Sequence, residues 1–164
     1  MKEKAHRRFA ITVVANLRDA LQATRQLVCN EVEPQAVSIV GQEAAFVVDR
    51  YKSLEFAAIV NSGPHSVEFK AEPGQIVSLA CQSVLPKAIS EDSGAFEKML
   101  HRWLFPTHAT RLAQTVAGGE FLLFVELHGL AEERIATRTL LRNCRGSVEV
   151  HDFDVAESTE EFCV

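Results

Sequence analysis

An apolar run, an amphipathic stretch and a β-branched run occur in the same order twice along the chain. Residues 9–14 are apolar except for Thr12 and precede Leu17-Arg18-Asp19, Ala23-Thr24-Arg25-Gln26-Leu27-Val28 and then the segment 36–40. The order returns 113 positions later: residues 121–127, then Leu130-Ala131-Glu132, Ala136-Thr137-Arg138-Thr139-Leu140-Leu141, then 147–150. Short apolar runs flanking a stretch of helical period predict a strand-helix-strand unit, and its recurrence predicts two such units. In the first helix Ala20, Ala23, Leu27 and Val28 form the apolar stripe and Asn16 is the expected N-cap. In the second, Ala136, Leu140, Leu141 and Cys144 form the stripe, Gly129 takes the place of Asn16, and Glu132 and Glu133 suit the positive end of the helix. Cys29 and Cys144 close the two helices, where a small apolar residue fits a core edge.

Between the units the pattern is less regular. Segments 44–48, 54–60 and 66–70 fit strands of a meander with a turn at Asn61-Ser62-Gly63-Pro64, but residues 49–60 equally fit a helix with a stripe of Tyr51, Leu54 and Ala58. Ile76, Leu79, Ala80, Ser83 and Val84 follow Pro73-Gly74 at helical spacing, up to Pro86. Phe96, Met99, Leu100, Trp103 and Leu104 give a strong helical face ended by Pro106, and Ala109, Leu112, Ala113 and Val116 give another, stopped by Gly118-Gly119. Trp103 on such a stripe is a packing residue before it is a stacking one.

At 164 residues one domain is expected, with 8–41 as the first unit, 42–118 as an insertion, 119–155 as the second unit and 156–164 as an acidic tail containing Glu157, Glu160 and Glu161. Strands 8–15, 36–41, 120–127 and 147–154 are expected to share one sheet. The fold class is therefore α+β: a ferredoxin-like sandwich of two βαβ units with a large helical or mixed insertion between them.

The formal net charge of −5 opposes nonspecific nucleic-acid binding, which needs cations to displace counterions from phosphates. Lys2, Lys4, Arg7 and Arg8 are a local exception, and no apolar segment of signal-peptide length follows them. No apolar run reaches the length of a membrane span. Cys29, Cys81, Cys144 and Cys163 show no metal-type spacing, and a reducing, cytoplasmic setting is the expectation. Sequence signatures of dinucleotide, P-loop and serine-hydrolase sites do not occur, and no cofactor is expected.

Trp103-Leu104, His108-Ala109, Leu112, Gly118-Gly119, the run 122–125, Glu133-Arg134, Leu140-Leu141 and Val148-Glu149-Val150-His151-Asp152 together resemble small bacterial proteins of the general-stress and heat-induced families of unknown function. The resemblance centres on residues 100–155. It implies a ferredoxin-like fold and a bacterial origin, and it supplies no catalytic residues.

Two groups of residues carry candidate chemistry. His108, His128, His151 and Asp152 are the types that ligate metals or move protons, with Asp154 near them in sequence; polar residues that simply face solvent are the plainer reading, since no close His pair ties them together. Arg134, Arg138 and Arg142 recur every four residues and form a cationic helical edge, with Arg145 beyond it. Pairing with nearby carboxylates or the acidic tail is one reading, and docking of an acidic protein partner or a phosphate ligand is the other. The leading expectation is a non-enzymatic bacterial cytosolic module, stress-related or regulatory, that acts through self-association or partner binding, with a free sheet face carrying Ile11, Val13, Leu122 and Phe124 as the surface for self-association. The alternative is a metal-binding protein or small enzyme using the histidines.

Overall fold

The computed structural model describes residues 6–61, 75–79, 88–90, 93–144 and 146–154. Its strands are β1 (His6–Val14), β2 (Val37–Gln42), β3 (Ile76–Leu79), β4 (Ala88–Ser90), β5 (Phe121–Leu127) and β6 (Val148–Asp154). Its helices are α1 (Leu17–Cys29), α2 (Glu43–Val48), α3 (Arg50–Asn61), α4 (Ser93–Trp103), α5 (Pro106–Ala117) and α6 (Leu130–Asn143). The strands form one six-stranded antiparallel sheet in the order β4-β3-β2-β5-β1-β6. All four strands expected from the repeat are in it.

Ala10, Val14, Val37, Ile39, Leu123 and Val125 belong to the core shared with α1, α3 and α6 on one face. On the opposite face Phe9, Ile11, Val40, Leu122 and Phe124 pack with Phe96 and Leu100 of α4, Leu104, and Ala109, Leu112, Ala113 and Val116 of α5. Alternate residues of a strand point to opposite faces, so β1 and β5 supply both cores. Phe9 and Phe124 meet edge to face across the strand pair, their centroids 6.3 Å apart.

This second layer corrects the expected free sheet face. Ile11, Leu122 and Phe124 are buried under the chain's own α4 and α5, and Val13 is half-buried against them. The apolar surface that motivated self-association through this face is already covered.

The insertion departs from expectation in two further places. Segments 44–48 and 54–60 are in helices α2 and α3, because β2 is already paired on both edges, to β5 and β3. The helical alternative over 49–60 holds, but on the other side of the helix: Ser53, Phe56, Ala57 and Val60 are buried, and Tyr51, Leu54 and Ala58 face solvent. Ser53 opens the buried stripe and donates to the Phe46 carbonyl at 2.8 Å, fixing the α2–α3 corner. The expected helix from Ile76 begins instead as β3, which pairs with β2 from Ile39–Leu79 to Gln42–Ile76. The expectations for 62–74, 80–87 and the tail 155–164 lie outside the described residues.

At the repeat helices, Asn16 caps α1 by accepting from the Asp19 amide at 2.9 Å, and Gly129 stands at the α6 N-terminus with φ of 128°, a conformation that favours glycine. One core-edge position and one stripe position differ from expectation. Cys29 is exposed, whereas Cys144 is buried and its thiol is pushed up to about 11, first by desolvation and then by Asp19. Leu141 is exposed, and Thr139 takes the buried place next to Leu140. Thr139 is accepted there because its hydroxyl donates to the Ile135 carbonyl and accepts from Asn30 of the α1 C-cap.

Two substitutions test this packing. A Cβ on Gly41 would come within 2.5 Å of the Phe121 ring, itself packed on Phe46 at 5.0 Å. Gly41→Ala should therefore overpack the core, costing about 1–3 kcal/mol and lowering Tm in thermal unfolding. Ser38 Oγ is buried with no hydrogen-bond partner among the described residues. Removing a buried unpaired hydroxyl recovers its desolvation cost, so Ser38→Ala should leave Tm unchanged or raise it by about 2–4 °C.

Candidate functional site

The sheet end near the chain's first strand carries two ionic clusters on opposite faces. On the α6 side, Arg8 of β1 reaches Glu133 at the start of α6 through Nε (3.1 Å) and Nη2 (3.0 Å). It also reaches both oxygens of Asp152 on β6 through Nη1, at 3.0 and 2.9 Å. The hydrogen bonds to Glu133 and then Asp152 raise the guanidinium above its already high range. Arg8 thus clamps three elements.

On the α5 side, Glu149 of β6 is the hub. Its Oε1 lies 3.2 Å from His108 Nδ1 and accepts from Arg111 of α5, and its Oε2 lies 3.2 Å from His151 Nε2. The His108 and His151 rings sit edge to face with centroids 5.6 Å apart. Register explains the meeting: Glu149 and His151 stand two apart on one strand and share a face, while His108 and Arg111 stand three apart on one helix. Desolvation pushes the Glu149 carboxyl up, but His151, Arg111 and His108 together outweigh it and leave it below the usual range.

The four residues expected as one metal group are therefore divided. His108 and His151 come together, but both are turned to Glu149. Asp152 is engaged by Arg8. His128 lies with Glu132 at 3.3 Å and Glu126 at 3.8 Å. Among the described residues no group of three or more His, Cys, Asp and Glu is arranged to hold a metal ion. Glu149 and Arg111, central to the geometry, were not singled out in the sequence; the alternation Glu149-x-His151 was the available signal.

Arg134, Arg138 and Arg142 stand together on the outer side of α6, all exposed. Each step of four residues advances 40° around a helix turning 100° per residue, so the row drifts across the outer surface without leaving it. Leu130, Ile135 and Leu141 lie among them and are also exposed, Leu130 by 75% and Leu141 by 60%. None of the three arginines forms an ion pair among the described residues. In contrast, Glu133 and Glu132 of the same helix are taken by Arg8 and His128. Among the described residues no helix is long and apolar enough to cross a membrane.

Comparison of the chain with protein-family models, with curated proteins and with solved structures found no match.

A depressed carboxylate stabilises the fold above its unfolded-state value, and that contribution disappears as pH falls through the lower folded-state value. With an ordinary glutamate near 4.3, the wild-type protein should lose the Glu149 contribution below about pH 4. Glu149→Gln should lower stability at pH 7 by about 1 kcal/mol, the upper end for a partly exposed cluster. Denaturant unfolding from pH 7 down to acid should show the two proteins converging. An unchanged gap would deny Glu149 this role.

Proposed function

We propose that the protein is a non-enzymatic docking module that recognises an acidic protein partner through the outer face of α6, in the regulatory or stress-related setting that the sequence resemblance implies, within the bacterial cytoplasm. The observation that carries the reading is the row Arg134, Arg138 and Arg142: three exposed guanidinium groups with no ion pair among the described residues, in a chain of net charge −5. Guanidinium groups grip carboxylates in a two-pronged geometry, and the neighbouring Leu130, Ile135 and Leu141 offer apolar contact to the same partner.

The strand order β2-β5-β1-β6 with α1 and α6 against one face supports a ferredoxin-like core extended by β3 and β4. In that reading α6 belongs to the second βαβ unit. The matching positions of the first unit are Leu21, Arg25 and Cys29, and Leu21 is buried. The ridge is thus a feature of one copy and not a demand of the shared architecture.

Each exposed ion pair contributes only about 0.2–1 kcal/mol, so the row acts through its sum and its binding weakens with salt. The test is the double variant Arg138→Glu/Arg142→Glu, compared with wild type in capture of partners from the source cells at low and high salt, with Tm measured in parallel. Salt-sensitive capture should be abolished while Tm stays nearly constant. Unaltered capture, or a large fall in Tm, would make the ridge structural.

A further inference from the structure

The α6 ridge is one side of a wider cationic surface. α1 packs between α6 and α3 on the same face of the sheet. These three helices carry seven Lys and Arg against four Asp and Glu, the reverse of the balance in the chain as a whole. Between α1 and α3 a groove of about 270 Å³ opens to solvent, walled by Arg18, Gln22 and Arg25 on one side and Lys52 and Glu55 on the other, with Leu21 among its lining residues. Arg25 is held by Glu55 at 3.0 Å and Lys52 by Asp49 at 3.0 Å. Arg18 is exposed and forms no ion pair among the described residues.

We infer that this groove is a second anchor for the acidic partner, seating carboxylate side chains of an extended segment that crosses α1 from the α6 ridge. The inference rests on the docking reading above and names the partner's form. Helices in contact lie about 8–10 Å apart, so the path from α6 over α1 to α3 is about 20 Å, the reach of about six extended residues. Arg18 is the vacant cation, while Arg25 and Lys52 are held in place by exposed ion pairs weak enough to exchange for a partner carboxylate. Glu55 on the groove wall separates spaced carboxylates from a dense polyanion: it is a local repulsion that a phosphate backbone would meet at every register, and an acidic segment can place a neutral residue beside it.

The full chain should be titrated into a fluorescein-labelled glutamate-rich peptide of about twelve residues, twice the path, with fluorescence anisotropy as the readout. Wild type should bind it, more weakly as salt rises. Arg18→Glu should weaken binding about three- to tenfold with Tm unchanged, and Arg18→Lys, which keeps the charge, should restore most of it. Arg138→Glu/Arg142→Glu serves as the separate probe of the ridge. If that double variant loses binding and Arg18→Glu does not, the groove is not an anchor and only the α6 reading stands. If the peptide does not bind, or neither variant alters binding, both readings fall. Tighter binding of a single-stranded oligonucleotide of equal charge would overturn the assignment to an acidic protein segment.

Discussion

The structure depends on burying two adjacent strands on both faces. Phe9, Ala10, Ile11, Thr12 and Val14 of β1, and Phe121 to Val125 of β5, leave almost no surface to water. A strand apolar on both sides needs a layer above and a layer below the sheet. The repeated helices α1 and α6, joined by α3, supply one layer. The other comes from the insertion, where α4 and α5 pack together over the sheet. Thr12, the polar residue in the middle of β1, is accommodated because its hydroxyl donates to the Ser147 carbonyl at 3.2 Å.

That requirement reassigns the insertion. A pair of strand-helix-strand units by itself would leave Ile11, Leu122 and Phe124 bare, and a second molecule would be a natural cover. Here Leu100, Leu112 and Val116 fill the place a partner would take. Gln42 at the end of β2 also secures the layer by donating to the Val116 and Ala117 carbonyls that end α5, at 3.0 and 2.9 Å. The exposed apolar residues of α6 instead lie on its outer side, where Leu130, Ile135 and Leu141 meet solvent together with the arginines.

Charge is distributed along the same division. At the sheet end, ionic groups are matched locally: Arg8 with Glu133 and Asp152, Glu149 with Arg111 and two imidazoles. These contacts join strand to helix and place the participating carboxylates and histidines against one another. On α6 the carboxylates are drawn toward Arg8 and His128 at the helix start, so the arginines farther along the helix keep their charge for solvent or for a partner.

The strand-helix-strand repeat, the Asn16 cap and the four-residue spacing of the arginines were legible in the sequence because each depends on local periodicity or on a single side chain beside its own backbone. The strands of the repeat and helices α1, α4, α5 and α6 follow from that periodicity. Contacts between distant segments were not legible. Ser53, Phe56, Ala57 and Val60 were hidden because a polar residue opens the buried stripe, and its hydroxyl is satisfied only by a carbonyl seven residues earlier. β3 carries no strand signal of its own because a four-residue strand has too few positions to set a period, and it forms along the edge that β2 offers. The histidines are visible in the sequence, but that His108 and His151 meet at Glu149 while His128 lies beside Glu132 follows from the packing of α5 on the sheet and the register of its strands, which chain order does not contain. The sequence by itself determined the strands of the repeat, helices α1, α4, α5 and α6 and where the cationic edge lies; the tertiary structure decided the rest of the insertion, which face is covered and which charges remain unmatched, because these are set by residues far apart in the chain.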